Sequence, residues 1–484
     1  MMMPITEVSM WAIAPALIVL VTAAITLLGG LFVRDMRISG GLALLGLVAA
    51  GVLAAVQLVD GQDAPLMAFG LQWIVDTPAS ALSLIILLGA ALSVLVAYDY
   101  LAPARLDLPE FYPLLLLSTF GGMVMVHAGD LIVLLLGLEI LSLAAYALAA
   151  WRAADATSEE AGMKYFLLGA FASAVLVYGI ALTYGAVGAF DYGAIAGALA
   201  DGVGPIGLTG GLLVLAGLGF KAALAPFHQW APDVYTGAPT PVTTFMSIVI
   251  KTAAFGALLR VSGAAWQGNL PELEVALGVL VALTVVIGNF AALLQSSVKR
   301  MLAYSAVAHA GYLGLAVLAT GGLGTPAAVW YLLAYTLMNA GAFAVLTQVA
   351  DANDRGDDIE AWEGLGRRRP LLAVCMTLFM LSLAGIPPLA GFTGKVLVFQ
   401  AALDAGYSFL AVLAILTAVV ALVYYFRVVA AMWFREGRGH VRPRSPAANV
   451  AIGIAAVGTV GLGLFPNLFY ALLEGGRTLL LAGL

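Results

Sequence analysis

Cysteine is almost absent from this 484-residue chain, and charge is scarce. The single cysteine, Cys375, lies in an apolar run and excludes an internal disulfide, a thiolate zinc site and an iron–sulfur cluster ligated by this polypeptide alone. Asp, Glu, Lys and Arg make up 10% of the residues, against about 25% in an ordinary soluble domain, which excludes a soluble globular protein. Histidine occurs four times, with no HExxH, no Cys/His spacing and no paired carboxylates for hydrolysis. The Gly-rich stretch at 321–324 neither follows a strand nor opens a phosphate-binding helix, so it is a poor nucleotide motif. A net charge of −6 with so few residues in water gives nucleic-acid binding no support. No redox chemistry and no metal are expected of this chain itself.

What the chain has is hydrocarbon. Apolar residues make up 63% of it. A helical span takes about 20 of them, so fourteen spans use about 280 residues, and 63% of 484 supplies about 305. An all-α polytopic membrane protein follows, with spans expected at 10–31, 38–58, 77–98, 111–127, 130–150, 162–187, 207–230, 240–261, 273–294, 300–320, 326–350, 370–404, 407–434 and 447–472. Runs this long and continuously apolar exclude a closed β-barrel, whose strands alternate over about ten residues. The opening MMMPITEVSMW has no basic region and no small-residue cleavage site, so the first run reads as a retained span.

Positive charge orients the spans. The odd-numbered connections carry Arg34, Arg37, Arg105, Arg152, Lys299, Arg300, Arg355, Arg367, Arg368, Arg369, Arg435, Arg438, Arg442 and Arg444, whereas the even ones and the tails carry only Arg260 and Arg477. Odd loops are therefore cytoplasmic, and both termini face the other side. The stretch 351–369 reads as a solvated loop.

The 21 basic residues partition by type: sixteen are arginine and five lysine. Lys221, Lys251 and Lys395 fall inside apolar runs, Lys164 just within the sixth, and Lys299 alone in a loop; Arg427 is the one arginine at membrane depth. A basic residue near the bilayer centre costs about 2.5–3.5 kcal/mol on insertion scales. Lysine gives up its proton when desolvated, whereas arginine stays charged, so lysine suits stepwise proton transfer. The bland alternative is snorkelling or a static ion pair. Glu139, nine residues into the fifth span, is the natural partner for an inner lysine, and loosening such a pair would free a proton; a purely structural pair between the fifth and seventh spans is the rival reading.

Two lysines sit beside helix breaks. Pro226 follows Lys221 by five residues, with Pro232, Pro239 and Pro241 beyond; Gly385, Pro387, Pro388, Gly391 and Gly394 precede Lys395. Interrupted spans at matching places point to an ion site. The intervals from Lys221 to Lys395 (174), Glu139 to His309 (170) and Lys251 to Arg427 (176) suggest two related five-span units, hence inverted ones. The expected division is 1–110, 111–262, 263–435 and 436–484. His127 and His440 are expected to face water; His228 and His309 are candidates for relay through the two imidazole nitrogens, with a satisfied core histidine as the alternative.

The segments GFKAALAPFHQWAPDVYTGAPTPVTTF, SSVKRMLAYSAVAHAGYLGLA and GIPPLAGFTGKVLVFQA resemble the antiporter-like membrane subunits of bacterial proton-pumping NADH:quinone oxidoreductase, respiratory complex I, and among them the subunit N family. The lysine at 395 is part of that distinction, since the subunit M relatives carry a glutamate there. The resemblance implies two inverted five-helix units with spans 7 and 12 broken, Glu139 and Lys221 as a coupled pair, Lys251 as central relay and Lys395 as terminal protonatable residue. It makes Lys164 an auxiliary and His228 and His309 hydration or relay residues. It also implies a bacterial inner membrane, both termini periplasmic, and other membrane-arm subunits as partners, antiporter-like neighbours among them. NAD, FMN, iron–sulfur clusters and quinone would be bound by those partner subunits. The rivals are a subunit of a multisubunit cation/proton antiporter, which shares the lysine pattern, and a passive scaffold.

Overall fold

The computed structural model describes residues 5–32, 35–60, 65–153, 155–202, 204–266, 270–349, 357–437 and 445–474. Arg34, Arg355, Arg438, Arg442, Arg444 and Arg477, which enter the charge pattern, and His440, expected to face water, lie outside the described residues. The first helices are α1 (Ile5–Gly29), α2 (Met36–Asp60), α3 (Thr77–Tyr98), α4 (Phe111–His127), α5 (Leu131–Ala149) and α6 (Ala156–Val187). A short α7 (Tyr192–Asp201) then leads to α8 (Gly204–Ala222) and α9 (Trp230–Gly237). The run Thr240–Trp266 is one rod made of α10 (Thr240–Phe245), a π-helical turn at Met246–Ile250, α11 (Lys251–Val261) and a second π-helical turn at Ser262–Trp266. There follow α12 (Pro271–Leu293), α13 (Val298–Leu318), α14 (Gly324–Val349), α15 (Leu365–Arg368), α16 (Pro370–Ala384), α17 (Ala390–Asp404), α18 (Ser408–Phe434), α19 (Pro446–Leu464) and α20 (Asn467–Glu474).

Among the described residues, twelve helices are long and apolar enough to cross a membrane, and two shorter apolar ones, Phe111–His127 and Pro370–Ala384, occupy two further expected runs. The seventh expected run is not one helix. α8 stops four residues before Pro226 and α9 resumes at Trp230, because proline lacks the N–H that the ladder needs. The twelfth divides likewise between Ala384 and Ala390. The peptide bonds Ala225–Pro226 and Pro387–Pro388 are both cis. Unforeseen by the sequence reading is an antiparallel hairpin of β1 (Leu66–Ala68) and β2 (Trp73–Val75), with Met67 opposite Ile74.

Helix starts are set by short acceptor side chains. Asp76, Asp130, Asp155 and Ser297 accept from the first-turn N–H groups of α3, α5, α6 and α13. Small residues then let helices touch: a Cβ on Gly121 of α4 would lie 2.4 Å from Leu141 N of α5. The rod Thr240–Trp266 is buried along nearly all its length, as are α13 and α14, whereas α1, α6, α18 and α19 expose large apolar side chains such as Phe171, Val419 and Val457. Polar chemistry is thus concentrated on the inner helices.

Element starts recur at a steady interval: from Leu131 to Val298 is 167 residues and from Thr240 to Ser408 is 168. The lysine interval of 174 is longer. Lys221 consequently ends the arm before its break, while Lys395 lies in the arm after its own.

Four placements correct the sequence reading. His127 does not face water; it is buried against Trp73, with ring centroids 4.7 Å apart. Lys299 is not a loop residue: it lies in α13, buried, and donates to Ala238 O at 2.7 Å. Arg260 is no loop charge either, since it is buried and paired with Asp76 at 2.5 Å. In the solvated-loop stretch, the described part holds a 3₁₀ turn, Ile359–Trp362, whose Trp362 is fully buried; a large indole there outweighs the flanking charge.

Candidate functional site

Besides Lys299 near the start of α13, three lysine amines are taken out of water: Lys221 is 3% exposed, Lys251 3% and Lys395 5%. Each is held by neutral oxygen. Lys221, in the last turn of α8, donates to Tyr165 Oη at 3.1 Å and lies 5.0 Å from the Tyr165 ring centroid and 5.4 Å from that of Tyr146. Lys251 follows the π-helical turn, a wide turn that re-aims the side chain after it, and donates to Ala306 O at 2.6 Å. Lys395 reaches back across its break to Leu383 O and Ala384 O, both at 3.0 Å. Those are carbonyls that the end of α16 leaves without helical partners, and the negative end of a helix dipole favours an ammonium. Gly385 makes this reach possible: its φ of +89° suits glycine, and a Cβ there would lie 3.0 Å from Lys395 Cδ.

His309 stands between the second and third amines. Its Nδ1 is 2.6 Å from Tyr331 Oη and its Nε2 3.2 Å from Tyr425 Oη. Its helix, α13, also supplies the Ala306 carbonyl to Lys251. Tyr425 hydrogen-bonds Ser305, and Asn289 joins Tyr312, at 3.0 Å, to Tyr424, at 3.1 Å. The Tyr312 ring centroid is 5.3 Å from Lys395 Nζ, and that of Tyr335 is 5.6 Å from Lys251 Nζ. A histidine between hydroxyls, flanked by two lysines, is a polar line through the apolar core. Tyr335 Oη, Thr336 Oγ1 and Asn339 Oδ1 on the adjoining α14 are buried without a protein partner. Water is the group able to satisfy them.

The remaining expected residues divide. Glu139 of α5 is half-buried, with Oε1 buried and unpartnered, and among the described residues no ion pair joins it to Lys221; the direct contact expected from sequence is replaced by the Tyr165 hydroxyl. Lys164 is 40% exposed and held at 2.7 Å by both Glu160 and Asp233, while Asp233 also binds Arg300 at 2.8 Å. It is thus part of a peripheral charge network rather than of the buried line. His228 is half-buried in the break before α9, with Nδ1 unpartnered. Sequence reasoning missed Asp233, Tyr165 and the tyrosines around His309. The tyrosines at 331 and 335 fall on α14 and those at 424 and 425 on the inward face of α18, but aromatic residues in apolar spans carry no signal that separates them from core.

A polytopic helical membrane protein with two interrupted helices, each bearing a buried lysine, is the class that fold and site define. Residues 128–421 match the family described as NADH:quinone oxidoreductase/Mrp antiporter, TM. NADH-quinone oxidoreductase subunit N of Deinococcus radiodurans is 44% identical over 476 residues, 96% of each chain. A chain of respiratory complex I from Thermus thermophilus with bound aureothin superposes with a TM-score of 0.82 at 43% identity, covering 94% of this chain and 98% of that one. A chain of the Mrp complex from Dietzia sp. shares the fold, with a TM-score of 0.85 at 21% identity, covering 98% and 97%. The chain belongs to the NADH-quinone oxidoreductase subunit N family.

Proposed function

We propose that this chain is a proton-translocating subunit in the membrane arm of NADH:quinone oxidoreductase, passing protons along Lys221, Lys251, His309 and Lys395, with Glu139 biasing the first amine. The carrying observation is that the amines of Lys221, Lys251 and Lys395 are bound by hydroxyl or carbonyl oxygen and none of the three by a carboxylate. A buried cation locked to an anion stays charged. One held by dipoles can be charged or neutral as its surroundings change.

NADH oxidation and quinone reduction, with NAD, FMN, iron–sulfur clusters and quinone, belong on this reading to partner subunits, and this chain is the non-redox translocating part. The fourteen helical runs are read as fourteen crossings. Residues 111–262 and 263–435 form two inverted units, the membrane is the bacterial inner membrane, and both termini are periplasmic. A multisubunit antiporter shares the fold at 21% identity, but the Deinococcus radiodurans relative at 44% identity is a subunit N protein.

In native membranes, Glu139→Gln or Lys395→Ala is expected to lower pumping-coupled quinone reduction by about tenfold or more without removing the assembled complex. Unchanged turnover in both variants overturns the relay. Co-purification with peripheral NADH-oxidising subunits supports complex I, and purification without them supports the antiporter.

A further inference from the structure

Resting on that relay reading, one feature of the first amine goes beyond it: Lys221 sits on a phenol while Glu139 Oε1 is buried without a hydrogen-bond partner. Tyr165 is fully buried in α6, its ring stacked on Trp230 at 4.5 Å and met edge-on by Tyr146 at 4.7 Å. Trp230 opens α9 and donates its Nε1–H to Phe220 O at 2.9 Å, the carbonyl just before Lys221 in α8. The Tyr165 ring therefore rests on a tryptophan that bridges both arms of the interrupted helix. Beside the amine is a cavity of about 10 Å³, lined by Leu138, Ser142 and Tyr146 of the helix that carries Glu139.

We propose that Tyr165 is a positioning residue, a neutral second seat that holds the Lys221 amine off Glu139 and releases it when the two arms shift. A hydrogen bond from an ammonium to a hydroxyl is charge-assisted and about twice as strong as a neutral one. Without the hydroxyl, the amine loses its neutral seat to the carboxylate, and the exchange stops. Because Trp230 ties the Tyr165 plate to both arms, motion at the break reaches the hydroxyl directly.

The test is a double-mutant cycle on the intact complex in native membranes, reading NADH-driven proton pumping per assembled complex. Tyr165→Phe keeps the stack on Trp230 and is expected to lower pumping about fivefold or more. In a Glu139→Gln background, where no anion competes for the amine, the same change is expected to alter pumping by less than about twofold. An equal loss in both backgrounds, or no loss in the first, overturns the proposal. Tyr165→His keeps a ring and an acceptor nitrogen and is expected to retain at least about half of the pumping; a loss as deep as that of the Phe variant overturns it. Should the Phe variant fail to assemble, the His variant is read in its place. If Glu139→Gln and Lys395→Ala both leave pumping unchanged, the relay reading has failed, which separates the two failures.

Discussion

At the scale of single residues, the same side-chain type does opposite work according to what surrounds it. Lys164 is clamped by two carboxylates at the periphery, whereas Lys395 rests on two carbonyls in the core. Lys164→Met is therefore expected to cost less than about threefold in coupled turnover, far below the loss for Lys395→Ala; an equal loss would place Lys164 on the path. Arg260 shows the structural use of buried charge. It makes two bonds to Asp76, at 2.5 and 2.8 Å, and one to Val126 O. Asp76 also caps α3, and His127 packs alongside through Ser83 and Ile74 O. Arg260→Ala leaves a buried carboxylate without its cation and is expected to destabilise by about 3–5 kcal/mol, seen as lost assembled complex or a lowered Tm. Replacing both partners by apolar residues should recover much of that loss, because no charge then needs a counterion.

At the scale of elements, breaks and wide turns are where backbone becomes chemistry. Ending α16 at Ala384 frees the carbonyls that hold Lys395, and the π-helical turn before Lys251 turns its amine onto α13. Gly385→Ala would place a Cβ against Lys395 in a left-handed conformation that costs about 1–2 kcal/mol for a side chain. The expected result is a loss of coupled turnover greater than the loss of assembly; wild-type turnover would show that the Lys395 seat tolerates displacement. These breaks were legible because proline and glycine act on their own backbone. The π-helical turns were not, since MSIVIK carries no residue that forces one and tertiary packing alone selects it.

At the scale of the whole molecule, the buried rod Thr240–Trp266 and helices α13 and α14 carry Lys251 and His309, ringed by helices that show apolar side chains outward. The proposed orientation can be checked in a Cys375→Ser background. A membrane-impermeant maleimide is expected to label Ala153→Cys from the cytoplasmic side and Gly202→Cys from the periplasmic side; the reverse pattern overturns the sidedness. Contacts across the two expected units also appear at this scale: Lys299 and Arg300 of α13 bind Ala238 O and Asp233 near α9. Neither contact could be read along the chain, because the partners lie 61 and 67 residues apart.

The sequence by itself determined the membrane class, the helical runs, the two breaks and the lysines set inside the apolar runs. Each follows from the transfer free energy of a local stretch or from the geometry of one residue, and neither depends on distant partners. Only the tertiary structure decided what each amine touches. It set Lys221 on a phenol and Lys395 on helix-end carbonyls, and it matched Arg260 with an aspartate 184 residues away. A buried charge is indifferent to which distant oxygen satisfies it, so composition reveals that an acceptor is needed and packing alone chooses which.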